Sequence, residues 1–182
     1  MYPVQHSTPR LSLRELTVDD VDGVLAIYGD PEATRHLSFE PRTREQVEAL
    51  VRGAIAASGA EPRTEFALAV SQETGGLIGF ARLAMDPHQQ RAATLGFALR
   101  PDVWGQGLGV ETVRAVLAVA FGPLDLHRVW AARSPANTVS EKTLLRAGFV
   151  EEGRIRQHVF VHDAWRDSVT YGIIEAEWRA TL

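Results

Sequence analysis

The sequence predicts a single α/β domain. Three observations carry that expectation. The 182 residues contain no internal repeat and no low-complexity linker. Apolar residues recur at helical spacing in some segments and at strand spacing in others. The two kinds of segment follow one another without a second core. An apolar share of 45% and a charged share of 23% are ordinary for a globular chain, and this length suffices to bury a sizeable core.

Residues 1–10 carry no period and read as a loose leader, which sets the domain at 11–178. Leu11 and Leu13 alternate with Ser12 and Arg14 as a first strand. Thr17 and Asp20 open a helix with Val21, Val24, Leu25 and Tyr28 on one face, and Gly29-Asp30-Pro31 ends it. Thr43 and Gln46 form a capping box for a second helix, along which Val47, Leu50, Val51, Ala54 and Ile55 repeat. After Pro62 the period becomes two. Phe66, Leu68 and Val70 alternate, Thr74-Gly75-Gly76 turns the chain, and Leu77 to Leu83 returns as a hairpin. Residues 93–99 add a third strand, with Leu95, Phe97 and Leu99 on one face and the small Thr94, Gly96 and Ala98 on the other. A helix follows from about Gly107 to Phe121, then a strand from Leu126 to Ala132 and a short helix from Asn137 to Ala147. Two strands, about 150–161 and 165–174, close the chain around the turn His162-Asp163-Ala164.

Cysteine is absent, which excludes disulfides, thiolate metal sites and a cysteine nucleophile, and fits a cytoplasmic protein. No export signal is visible at the start, and no run is long and apolar enough to span a membrane, so no membrane partner is expected. The net charge of −4 is well mixed and no basic stripe occurs, so nucleic acid is not an expected partner either. No metal is expected.

The segment Leu99-Arg100-Pro101-Asp102-Val103-Trp104-Gly105-Gln106-Gly107-Leu108-Gly109-Val110-Glu111 is the richest in chemistry. A strand ends, a glycine-rich turn follows, and a helix starts among the glycines. Glycines let a ligand approach the backbone, and free N–H groups at a helix start bind phosphate. The same residues also suit a plain tight turn. The dinucleotide fingerprint fails because Val110 stands where its third glycine is needed, and no Gly-Lys-Ser/Thr triplet follows for a P-loop.

Gln106-Gly107-Leu108-Gly109 after a strand resembles the acetyl-CoA loop of the GNAT superfamily of N-acetyltransferases, with Trp104 in place of the leading Arg/Gln. Trp104-Gly105-Gln106-Gly107 with Glu111 is similar to the W-G-x-G-x-x-x-E form of the RimJ/RimL-type branch, the ribosomal-protein alanine acetyltransferases and relatives. Asn137-Thr138-Val139-Ser140 followed by Ala147-Gly148-Phe149 resembles that branch's N-x-x-S…G-F, and Trp165 to Trp178 resembles its ending. The element order also matches. The resemblance implies a mixed, mostly antiparallel sheet of about seven strands with four helices, whose splayed central strands form an acetyl-CoA cleft.

It implies cofactor contacts as well: the backbone of Phe97, Ala98 and Leu99 for the pantetheine amides, and the N–H groups of Trp104, Gly105, Gln106, Gly107, Leu108, Gly109 and Val110 for the pyrophosphate. Asn137 and Ser140 would line the thioester end, with Lys142 and Thr143 nearer the nucleotide. Both Asn137 and Ser140 also suit simple helix capping. The Leu99 N–H would polarise the carbonyl. Ser140 is the candidate acid for the departing thiolate, and Tyr171 is held in reserve. The base is unassigned: Glu65, Glu151, Glu152, His158 and His162 read as surface residues, His127 as a support for its strand, and His36 lies in a loop where acceptor-binding residues often lie in this family.

The implied activity is acetyl-CoA-dependent acetylation of a primary amine by direct attack in a ternary complex. The branch favours a protein N-terminal α-amine as acceptor. A small-molecule amine (an antibiotic or polyamine) and a non-catalytic acyl-CoA-binding domain are the alternatives. Either a monomer or a homodimer is compatible with the sequence.

Overall fold

A computed structural model describes residues 3–72 and 76–181. Its elements run β1 (Gln5–Ser7), β2 (Ser12–Glu15), a 3-10 turn, α1 (Val21–Tyr28), α2 (Pro31–Thr34), α3 (Arg44–Ser58), β3 (Glu65–Ser71), β4 (Leu77–Met85) and β5 (Ala92–Leu99). A second 3-10 turn leads to α4 (Leu108–Phe121), β6 (Arg128–Arg133), α5 (Thr138–Ala147), β7 (Val150–Val161), β8 (Ala164–Ile174) and α6 (Glu175–Arg179). One eight-stranded sheet has the order β1-β2-β3-β4-β5-β6-β8-β7. Every neighbouring pair in it is antiparallel except β5 and β6.

Alternation along the central strands sends side chains to two separate cores. Phe66, Leu68, Val70, Leu83 and Leu95 pack under α4 and α5 with Val113, Val116, Leu117 and Leu144. Ala67, Ala69, Phe80 and Ala98 face the other way, onto Val24, Ile27, Val47 and Val51 of α1 and α3. The small residues on that face let the two helices lie close to the sheet. A bulge at Ile78 opposite the Val70–Ser71 step lets both Ile78 and Phe80 point into cores.

The fold class is as the sequence predicts, and α3 starts with the predicted reciprocal bonds between Thr43 and Gln46. Two differences have local causes. Residues 1–10 are not a loose leader over their described part. Gln5–Ser7 pairs with β2 as an edge strand, and Val4 N donates to Glu15 Oε1 at 2.9 Å. This strand is held by backbone bonds to its neighbour, so it leaves no apolar alternation to read. It brings the sheet to eight strands. The chain also re-enters a helix after Gly29. The Asp30 carboxylate accepts from the amides of Glu32 and Ala33, both at 2.8 Å, with Pro31 at the first helical position. An Asp-Pro pair can therefore start a helix as well as stop one. The turn expected at Thr74-Gly75-Gly76 lies partly outside the described residues.

Candidate active site

β5 and β6 pair only through Ala92–Arg128, Ala93–Val129 and Thr94–Trp130, after which they part. β6 runs on against β8 alone. Asp86 N donates to Ala92 O and Arg100 N donates to Ile78 O, so the even-numbered residues of β5 use their backbone groups on β4. The odd-numbered ones, Phe97 and Leu99 among them, turn theirs into the gap. Gly96 has nothing within 4 Å of where a Cβ would stand. The gap opens into a cleft of about 380 Å³.

At the end of β5 the Trp104 indole donates from Nε1 to Leu99 O at 2.9 Å, tying the glycine-rich turn back to the strand. Gly105 and Gly107 take φ values of +75° and +78°, a conformation that favours glycine. The first intrahelical bond of α4 is Glu111 N to Gly107 O at 3.3 Å. The N–H groups of Leu108, Gly109 and Val110 are therefore left without helical partners, at the positive end of the helix dipole. Such a cluster of amides suits an anion.

The facing wall is α5. Arg133, buried at the end of β6, donates to Ser134 O and Pro135 O, both at 3.0 Å, and so shapes the turn before this helix. Asn137 then caps it, its Oδ1 accepting from Ser140 N at 3.0 Å. The Ser140 hydroxyl has no hydrogen-bond partner among the described residues and lines the cleft. Thr143 Oγ1 is spent on Val139 O at 2.9 Å. Lys142 and Arg146, one turn apart on this wall, pair with no carboxylate among the described residues.

The remaining wall comes from α2 and the loop after it, including Glu32, Arg35, His36 and Leu37. The β7–β8 hairpin holds this loop. Arg166 NH1 donates to His36 O at 2.9 Å and Leu37 O at 3.1 Å, and the Glu40 carboxylate meets His162 at both N (3.0 Å) and Nδ1 (2.7 Å). Partial burial, then the cations of Arg35 and Arg166, hold the His36 ring below the usual histidine pKa.

Of the residues named from sequence, Phe97, Ala98, Leu99, Trp104, Gly105, Gly107, Gly109, Val110, Asn137, Ser140, Lys142 and Thr143 meet in this one cleft. Gln106 and Leu108 do not line it. The Gln106 amide turns toward Asp102 O, and Leu108 is buried in the core. Tyr171 needs correcting. It is fully buried away from the cleft, its hydroxyl donating to Glu151 Oε2 at 2.8 Å and accepting from Arg133 at 2.8 and 3.1 Å. It cannot stand in for Ser140. Glu65, Glu151, Glu152 and His162 are likewise committed to partners: Arg82, Tyr171, Arg128 and Glu40. The sequence reading missed Arg133 and Arg146. Arg133 reads as one more residue of an alternating strand, and Arg146 as a helix-end cation.

A family model described as the acetyltransferase (GNAT) domain matches residues 10–150. The N-acetyltransferase YoaA of Bacillus subtilis (strain 168) is 29% identical over 178 residues, covering 96% of this chain and 98% of that protein. The ribosomal protein uS5-alanine N-acetyltransferase of Escherichia coli (strain K12) is 29% identical over 87 residues, covering 48% of this chain and 45% of that one. The crystal structure of a spermidine N-acetyltransferase from Vibrio cholerae, in complex with CoA and spermine, superposes with a TM-score of 0.83. It is 21% identical and covers 94% of this chain and 99% of that one, a likeness of fold. With its splayed strands and its match over most of its length, the chain belongs to the GNAT acetyltransferase family and is an N-acetyltransferase.

Proposed function

We propose that this protein transfers the acetyl group of acetyl-CoA to a primary amine by direct attack in a ternary complex, and that its acceptor is a protein N-terminal α-amine. The observation that carries the reading is the convergence of three surfaces in one cleft. These are the backbone edge of β5 that β6 leaves unpaired, the free amides of α4, and the acceptor-side loop held by Arg166.

The residues present fit the cofactor. The α4 amides suit a pyrophosphate, Lys142 and Arg146 add positive charge to the same cleft, and the backbone of Phe97 and Leu99 lies open to it beyond the end of the β5–β6 pairing. Phe97 and Leu99 would hold the amides of the pantetheine arm, with Ala98 between them and Thr143 beside Gly109. When bound, acetyl-CoA supplies an acetyl group activated as a thioester. The Leu99 N–H would orient and polarise its carbonyl. With no cysteine in the chain, the role left to the protein is to hold amine and acyl group in attack geometry. His36 takes the proton that the amine gives up, and Ser140 Oγ hands one to the departing sulfur.

Charge favours a monoamine acceptor. The charged side chains lining the cleft are Glu32 against Arg35, Lys142 and Arg146, and a multiply charged amine is best steered by a cleft of the opposite sign. A peptide α-amino group, with a pKa of about 7.7–8.0, also loses its proton more readily than a lysine amine at about 10.4.

Release of free thiol from acetyl-CoA, read across a panel of amines and peptides, tests this. Short peptides with a free N-terminus are expected to give a higher kcat/KM than spermidine or kanamycin, and the reverse ranking would remove the acceptor assignment. The pH profile for the best acceptor tests His36. Its lowered pKa means that the ring is neutral above that value, so the rate should rise as pH increases through it, ahead of a second rise as the α-amine itself deprotonates at about 7.7–8.0. His36→Gln should remove the first rise and lower kcat by about 10²-fold. An unchanged profile in the variant would free His36 of the role.

A further inference from the structure

The first turn of α4 contains Glu111, which puts a full negative charge beside the amides that would receive a pyrophosphate. A lone carboxylate there competes with any second anion for the positive end of the helix. The structure surrounds Glu111 with residues more than a hundred positions away. Thr8 Oγ1 donates to Oε1 at 2.6 Å, Arg10 N donates to the same oxygen at 3.1 Å, and Arg10 Nε donates to Oε2 at 2.6 Å. Thr8 is itself fixed, its N donating to Leu11 O at 2.8 Å and its Oγ1 accepting from Leu11 N at 3.0 Å.

The Arg10 guanidinium has a second task. Its NH1 donates to Gln106 O at 3.0 Å, and its NH2 lies 3.6 Å from where a Cβ on Gly107 would stand. A trans peptide sets its N–H opposite its C=O. Fixing the Gln106 oxygen therefore also fixes the direction of the Gly107 N–H. Gly107, with its positive φ, would otherwise be the loosest joint of the loop.

Resting on the acetyl-CoA reading above, we propose that Arg10 is a positioning residue for the cofactor loop: it cancels the charge that Glu111 sets against the pyrophosphate and holds the Gln106–Gly107 peptide in its binding orientation. The pairing also accounts for a glutamate at this place in an anion-binding turn. Burial opposes the charge of Glu111, yet the bonds from Thr8 and Arg10 keep its carboxyl below the usual carboxylate range. It stays ionised, and it belongs to Arg10. The N-terminal strand acts as the arm that carries Arg10 to the loop.

Calorimetric titration of CoA into the full chain separates neutralisation from mere support. Arg10→Met is expected to weaken CoA binding by about tenfold, the scale of one charge-assisted contact, and more at low salt. Adding Glu111→Gln to Arg10→Met should recover the part of that loss owed to the repelling charge, leaving the part owed to the freed Gln106–Gly107 peptide. Arg10→Lys keeps the charge but cannot grip Glu111 and Gln106 together. It should bind more weakly than wild type and more tightly than Arg10→Met, and it serves should Arg10→Met fail to fold. Wild-type affinity in both Arg10 variants overturns the proposal, and so does a double variant as weak as Arg10→Met. Absence of CoA binding in the wild type would instead remove the acetyl-donor reading and this proposal with it.

Discussion

Ser140→Ala is expected to lower kcat by about 10²–10⁴, the usual scale for losing a positioned acid, while leaving the affinity for CoA and the melting temperature near wild type. The separation is expected because of how Ser140 is held. Its amide, not its hydroxyl, takes the capping bond from Asn137 Oδ1 at 3.0 Å, so the helix start survives removal of the hydroxyl. The hydroxyl lines the cleft and has no protein partner among the described residues, so no buried acceptor is orphaned. Steady-state rates at saturating acetyl-CoA check this. An unchanged kcat would strip Ser140 of the role, and Tyr171 could not inherit it, since its hydroxyl is buried between Glu151 and Arg133.

The second large effect is expected at the cradle. Gly109→Val should weaken CoA binding by at least about 10²-fold. Two amide–phosphate bonds at about 1.5–3 kcal/mol each are at stake, and each 1.4 kcal/mol is a factor of about ten. Position 109 is a cleaner test than 107. Gly107 sits at φ +78°, where any side chain strains the backbone. At Gly109 a Cβ would meet Thr143, at 3.5 Å from Cγ2 and 3.6 Å from Oγ1, and Leu99 Cδ1 at 3.9 Å, all ordinary contacts. The rest of the valine then projects into the gap between α4 and α5. Fluorescence or calorimetric titration checks the affinity, and a melt without ligand checks that the fold is intact. Undiminished affinity would mean that the anion lies elsewhere.

The parts of this molecule governed by short-range rules were readable from the chain. The capping pair Thr43 and Gln46, the period-two runs of β3, β4 and β5, and the glycines at 105, 107 and 148 each act within a few residues, and the structure has α3, the meander and the left-handed turns where they stand. β1 was invisible because an edge strand of three residues needs backbone partners and no apolar face. Helix α2 stands where the sequence predicts only a helix end, because Asp30-Pro31 carries both a stop and a start signal. The site divides in the same way. The cradle glycines and the Asn137 cap are local. The partners that hold them are distant in sequence: Arg10 on Glu111, Arg166 on His36, and Arg133 on Tyr171. Glu111 could be quoted as part of a motif, but nothing in its neighbourhood names Arg10. Contacts between residues 38 to 130 positions apart leave no period.

The central claim is that the turn between β5 and α4 receives the pyrophosphate of CoA, and ligand-dependent melting of the wild-type chain tests it most directly. A ligand bound only by the native state at a hundredfold excess over its Kd stabilises by about 2.7 kcal/mol, roughly 5–10 °C for a domain of this size. CoA and acetyl-CoA are expected to raise the melting temperature by that amount, and NAD and ATP are not. A shift with NAD or ATP and none with either CoA ligand would contradict the account.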